Sequence, residues 1–289
     1  MLSAAEAGQL DRFALAAHGA AASAAGRRPV DARGYSVEFH DFRHYQPGDD
    51  PRAIDWTIDA RLRQLVVRLY RAEGHVPLHL LVDTSASMGI GAPAKLTTAT
   101  RVAAALGYVA AKQKDPMALA TFASSIEMRA PLAAGRPQLL RVLETLAALQ
   151  PRGRSAFDRA LTDYATIARG PGLGVVISDF LSPSATFDGL RLLAHRGLSL
   201  VAVHVLADEE LQPDLDGDVE LVDAEGTAPP LVVGPADVEA YLARLERSSR
   251  DLRTFCAQHR AGYVLVRASS GFEHLVAGCV TGGIITLRA

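Results

Sequence analysis

The chain has 289 residues, 49% hydrophobic and 21% charged, with a formal net charge of -2. That is enough to bury one large α/β core with an attached subdomain, and the charge gives no bulk pull toward nucleic acid or an anionic membrane. Two cysteines, Cys256 and Cys279, form no Cys-x-x-Cys pair and read as reduced thiols of a cytoplasmic protein. The basic residues are nearly all arginine; the lysines are Lys95, Lys112 and Lys114.

In chain order, residues 3–18 carry Leu10, Phe13, Ala14 and Ala17 at helical spacing and predict a helix. The stretch lacks a basic leader and is interrupted by Glu6 and Asp11, so it does not read as a signal peptide. No apolar run reaches the ~18 residues of a membrane span, and no membrane insertion is expected. Gly19–Gly34 reads as a loop. Tyr35–Phe39 alternates like an exposed strand, and Gln46-Pro47-Gly48-Asp49-Asp50-Pro51 is a turn cluster. Ile54–Ile58 and Leu65–Tyr70 read as two strands of a hairpin. Residues 1–75 are therefore expected to form an N-terminal helix and β-hairpin extension. It holds too few apolar residues for its own core, and Phe39, Trp56 and Leu69 are expected to pack on a main domain over 76–289.

Strands and helices alternate from there. Leu78–Asp83 is a continuous apolar run, the mark of a strand buried on both faces. Helices are predicted over 95–112, 137–149, 157–168, 187–195 and 238–259, and strands over 117–122, 126–129, 174–179, 198–205 and 263–266. A hairpin is expected within 214–230, with a further piece around 272–280. The fold class this predicts is α/β: a doubly wound, mostly parallel sheet with helices on both faces.

Ligand sites in such folds collect beyond the carboxyl ends of the strands. There the chain places Asp83-x-Ser85-x-Ser87, then Ser155 in the polar loop 151–156, then Asp179 at the end of a second buried strand. One set of charged and hydroxyl oxygens on one rim suits a hard cation, Mg²⁺ or Mn²⁺. Because the rim is taken as surface, Asp83→Ala and Ser85→Ala are expected to leave the fold nearly intact.

Other readings are weaker. Gly89-Ile90-Gly91-Ala92-Pro93-Ala94 imitates a dinucleotide loop, but Pro93 and its distance from the strand end argue against it. No Gly-Lys-Ser/Thr and no Gly-x-Ser-x-Gly occurs. His40 and His44 lack a third ligand for zinc. The alternative with most substance is a metal-dependent phosphoester hydrolase, with Asp83 and Asp179 on the metal and His195 or His204 nearby as base.

Asp83-x-Ser85-x-Ser87, the Gly153-Arg154-Ser155 loop and Ile177-Ser178-Asp179 resemble the metal-ion-dependent adhesion site (MIDAS) of von Willebrand factor A domains. In that family a Thr usually stands at the place of Ser155, and Gly follows the second Asp, where this chain has Phe180. The resemblance covers residues 76–268. Further upstream, Glu38-Phe39, Arg43-x-Tyr45-x-Pro47-Gly48-Asp49-Asp50, Arg52-x-Ile54-Asp55-Trp56, Val67-Arg68 and Glu73 resemble, in order, the signature of the bacterial domain of unknown function family 58 (DUF 58). Many of its members carry N-terminal membrane helices, and many are encoded beside MoxR-type AAA+ ATPases. The resemblance implies a non-enzymatic, Mg-dependent protein-binding module that takes an Asp or Glu carboxylate of a partner. It also implies a MoxR-type ATPase as a working companion in assembly or maturation of a complex.

Overall fold

The computed structural model describes residues 3–16, 37–46, 54–72, 75–168, 170–181, 186–215, 217–226 and 228–288. The expected loop over 19–34, the turn at 47–51, Arg52 and Glu73 lie outside the described residues, as do the side chains of Phe39, His40 and Leu69. The chain forms two compact units, Met1–Ala20 with Val76–Ala289, and Ala21–His75. Residues 1–75 are thus not one extension, because the N-terminal helix belongs with the main unit.

That helix, α1 (Ala4–Leu10), is much shorter than 3–18. Ser3 and Glu6 close a reciprocal capping box at its start, and Asp11 ends it. The chain then forms β1 (Phe13–Leu15), whose Phe13 and Leu15 are buried and which pairs antiparallel with residues 285–287. Helical spacing of four residues was overridden by a long-range strand partner.

In the second unit, β2 (Val37–His44) is followed by α2 (Trp56–Leu62) and β3 (Val66–Ala72). The expected strand over 54–58 is therefore mostly a helix. Asp55 is its N-cap, accepting from the N–H groups of Thr57 at 2.9 Å and Ile58 at 3.3 Å. The hairpin partner of β3 is β2 instead, in antiparallel register from Val37↔Ala72 to His44↔Val66.

The main unit follows the predicted alternation: β4 (Leu78–Asp83), α3 (Lys95–Lys112), β5 (Met117–Phe122), β6 (Ile126–Ala133), α4 (Arg136–Ala148), α5 (Phe157–Ile167), β7 (Gly172–Ser178), α6 (Asp188–His195) and β8 (Leu198–Leu206). Then come α7 (Asp208–Leu211), the short antiparallel pair β9 (Val219–Leu221) and β10 (Leu231–Val233), α8 (Pro235–Gln258), β11 (Gly262–Arg267), α9 (Phe272–Thr281) and β12 (Ile285–Leu287). The six-stranded sheet has the order β11-β8-β7-β4-β5-β6, parallel except for β6.

Side chains alternate across the sheet, so it has two cores. Leu80, Val82, Val175, Ile177 and Val203 pack with Val102, Leu106 and Leu275 of α3 and α9. Leu81, Val176 and Ala202 face Phe157, Leu161, Leu190 and Phe255 of α5, α6 and α8. This is the doubly wound architecture expected. The close fit of α5 to α6 depends on Gly189, where a Cβ would stand 2.6 Å from that of Leu161. The chain leaves β4 toward β5 and β6, then returns to place β7 on the other side of β4, so the topological switch point lies between β4 and β7.

Candidate metal centre

At the carboxyl end of β4 the buried run stops at Asp83. The Ser85 N–H donates to Asp83 Oδ1 at 2.8 Å, an Asx turn that folds the chain back. A single 3₁₀ turn over Ala86–Gly89 follows. The result is that the hydroxyls of Ser85 and Ser87 stand 3.1 Å apart.

The neighbouring strand β7 contributes from the other side of the switch point. Ser178 Oγ donates to Asp83 Oδ2 at 2.6 Å and accepts from Phe180 N–H at 3.0 Å. The 152–155 loop is tied to the same turn by its backbone: Arg152 N–H donates to Thr84 O at 2.7 Å, and Ala86 N–H to Gly153 O at 2.9 Å. Asp83, Ser85 and Ser87 are thus brought together, with Ser155 on the adjoining loop. Ser155 N–H itself donates to the Glu225 carboxylate, at 3.2 Å, from the turn between β9 and β10.

Asp179 is placed next to this cluster but is already engaged. Its Oδ1 accepts from Leu181 N–H at 3.2 Å and its Oδ2 from Lys95 Nζ at 2.7 Å. Lys95 also donates to Glu210 at 2.6 Å. Burial works against the Lys95 charge, yet the two carboxylates more than reverse it and hold its pKa above the ordinary lysine value.

These residues do not form an open rim. Asp83 is 1% exposed and Ser85 0%. The expectation that they could be truncated without structural cost treated a strand end as surface, whereas the turn after β4, the 152–155 loop and the end of β7 close over it. Burial first, and then the Asp179 charge, push Asp83 up to about 7 from its ordinary 3.8. Its hydrogen bonds to Ser178 and Ser85 are not enough to hold this carboxylate charged, and no cation side chain pairs with it among the described residues.

Does this set suit a divalent cation? One under-neutralised carboxylate and two adjacent hydroxyls are hard oxygen donors of the kind Mg²⁺ takes with several waters. No cluster of three or more His, Cys, Asp or Glu fit to cage a metal occurs among the described residues, so an ion here depends on the hydroxyls. The donor set fits.

Phe180, which stands where the von Willebrand pattern has Gly, adopts φ +51°, the left-handed region that glycine enters freely. Its ring is buried between Phe157, at 5.3 Å, and His204, at 5.7 Å between centroids. Packing of the ring holds a backbone conformation that costs of order 1 kcal/mol or more. From the sequence, Ser178 stands out only within the Ile177-Ser178-Asp179 motif, and Lys95, Glu210 and Glu225 have no place in the site. For Lys95 a signal existed: it is one of three lysines in an arginine-rich chain.

Fold and site together define a class: a doubly wound α/β domain with a cluster of carboxyl and hydroxyl oxygens at its switch point. Within that class the chain belongs to the family described as "Protein of unknown function DUF58", whose pattern matches residues 41–240. An uncharacterized protein of Mycobacterium bovis is 33% identical over 189 residues, covering 63% of this chain and 59% of that protein. The chain therefore spans 59% of the length of this curated relative. Among solved structures, the conserved hypothetical protein BatB of Bacteroides thetaiotaomicron matches with TM-score 0.46 and 16% identity, over 72% of this chain and 98% of BatB. A von Willebrand factor type A protein of Catenulispora acidiphila matches with TM-score 0.43 and 11% identity, over 76% and 44% of the two chains. Both likenesses are too distant to bear on the site.

Proposed function

We propose that the chain is a non-enzymatic, metal-dependent interaction module. It would bind Mg²⁺ or Mn²⁺ through the hydroxyls of Ser85, Ser87 and Ser155, with Asp83 and Asp179 as direct or water-mediated ligands. The observation that carries this reading is Asp83: a carboxyl group 1% exposed, bound by the Ser85 N–H and the Ser178 hydroxyl and, among the described residues, by no cation, beside a pair of hydroxyls 3.1 Å apart. Such an arrangement is costly for a charged carboxylate, which must either take up a proton or be joined by a charge of opposite sign.

When bound, the ion would supply an electrophilic open position for an Asp or Glu carboxylate of a protein partner. The chain's own residues do the rest. The Asx turn orients Ser85, Ser178 fixes the second oxygen of Asp83, and the backbone bonds of Arg152 and Ala86 hold the Ser155 loop against the turn. Ser155 N–H already donates to a carboxylate, that of Glu225, so the loop is chemically suited to one. A MoxR-type AAA+ ATPase as companion in assembly of a complex is part of this proposal and rests on the family signature.

The hydrolase alternative loses its bases. His204 is 1% exposed, its Nδ1 is 3.0 Å from Tyr263 OH, and burial pushes it down to about 4. His195 ends α6 just before β8 begins, at the amino-terminal ends of the parallel strands, whereas the site lies at their carboxyl ends. The test is calorimetry of Mn²⁺ and Mg²⁺ binding to the full chain, with and without acetate as the simplest carboxylate. One ion per chain, bound more tightly with acetate and lost in Ser85→Ala, is expected. No binding at millimolar metal, or turnover of phosphoesters dependent on Asp83, would refute the reading.

A further inference from the structure

Lys95 is the first residue of α3, and its side chain is fully buried. Its Nζ lies 2.7 Å from Asp179 Oδ2, at the end of β7, and 2.6 Å from Glu210 Oε1, in α7 beyond the end of β8. Glu210 is fixed in turn by Ala207 N–H on its other oxygen, at 2.8 Å. Asp179 is fixed by Leu181 N–H on its other oxygen. All four carboxylate oxygens are therefore engaged, and the ammonium sits between two of them. A buried ammonium persists only when paired in this way. An ammonium is also a compact point charge, which the planar fork of arginine would not replace here.

A divalent ion at Asp83 lies beside this arrangement, and it would have to share Asp179 with an existing cation. Asp179 cannot then give its full charge to the ion, and the ion meets a like charge close by in a medium of low dielectric. We propose that Lys95 is a tethered cation that claims Asp179, keeping the divalent-ion site of Asp83, Ser85, Ser87 and Ser155 weak until an outside carboxylate arrives. The inference rests on the metal-binding reading above. Lys95 acts through Asp179 and is a positioning residue; its consequence is that metal and partner bind as a pair rather than in sequence.

The test is Mn²⁺ titration of the full chain, with melting temperature recorded with and without Mn²⁺, for the wild type, Lys95→Met, and Lys95→Met combined with Glu210→Gln. The double variant loses one positive and one negative charge, so the net charge of the region is kept while Asp179 is freed. Both variants are expected to bind Mn²⁺ about tenfold more tightly than the wild type, the scale of a like charge removed at short range. Their melting temperatures should rise with Mn²⁺ by more than that of the wild type, and a Lys95→Met chain that folds only with Mn²⁺ supports the proposal equally. A purely structural lysine would lower the melting temperature and leave the affinity of the double variant unchanged; that result, or weaker binding, overturns the proposal. A wild type that binds no Mn²⁺ at millimolar concentration overturns the metal reading itself, and this inference with it.

Discussion

Strand β4 buries a polar side chain near each end, and the two are accommodated in opposite ways. His79, 3% exposed, has its Nδ1 2.8 Å from the hydroxyl of Tyr164 on α5, and burial pushes it down to about 4, so it is neutral near pH 7. Asp83, four residues on, has partners for both oxygens yet remains under-neutralised, with its pKa raised to about 7. The His79–Tyr164 pair is neutral, although the other ring nitrogen of His79, Nε2, is buried without a hydrogen-bond partner among the described residues. Asp83 is a carboxyl group among hydroxyls with no cation side chain beside it among the described residues, and this difference in charge sets the two ends of the strand apart.

The largest effect is expected at the histidine end. His79→Ala removes a buried ring and leaves the Tyr164 hydroxyl without its partner, and should cost about 3 kcal/mol or more. Denaturant unfolding measures this, and a Mn²⁺ titration of the folded variant should match the wild type. Loss of Mn²⁺ binding there would mean that the two ends of β4 are one unit, and the contrast would fall.

Asp83→Asn addresses the other end. Folded Asp83 holds its proton up to about pH 7, while in the unfolded chain it releases it near 3.8. Between these values the native state binds more protons, so this group removes stability as pH rises from about 4 to about 7, by up to about 4 kcal/mol. His79 and His204 act in the reverse sense: each is pushed from 6.5 down to about 4, so the unfolded chain binds more protons and stability rises with pH over that window. The informative quantity is therefore the difference between the two proteins. Metal-free Asp83→Asn should gain on the wild type as pH rises from 4 to 7, and Mn²⁺ at pH 7.5 should stabilise only the wild type. A constant difference across that range would show that Asp83 is charged at all these pH values. Asp83→Ala is a poorer probe, because it leaves the Ser178 hydroxyl and the Ser85 N–H unpaired, at about 1–3 kcal/mol each.

The inner strands β4, β5, β7 and β8 were legible because they are largely apolar runs of six to nine residues, and Asp83 and Asp179 mark where two of them stop. The switch point followed from the alternation of elements. Three things were not legible. Asp55 capping α2 was hidden by the alternation Ile54, Trp56, Ile58, which imitates a strand. The pairing of β1 with β12 spans nearly the whole chain, and no local signal announces it. The bond of Lys95 to Glu210 joins residues 115 apart in sequence, so neither reveals the other. Burial of the site was misjudged for a related reason: the segments that cover Asp83 come from distant loops.

The smallest effect belongs to Glu225, and it tests how far the site extends. Its carboxylate reaches the Ser155 N–H from a turn between two short strands whose Leu221 and Leu231 are exposed. Glu225→Gln keeps an oxygen acceptor for that N–H and removes only the charge. The position is partly exposed, so stability should change by less than about 0.5 kcal/mol. The effect on the ion is Coulombic and screened: Mn²⁺ affinity should fall by about two- to threefold at low salt, and the difference should shrink at 0.5 M salt. An unchanged affinity at low salt would confine the electrostatic site to the ends of β4 and β7. A tighter affinity would mean that the carboxylate occupies space the ion's own ligands need, and Glu225 would then be a competitor instead of a contributor.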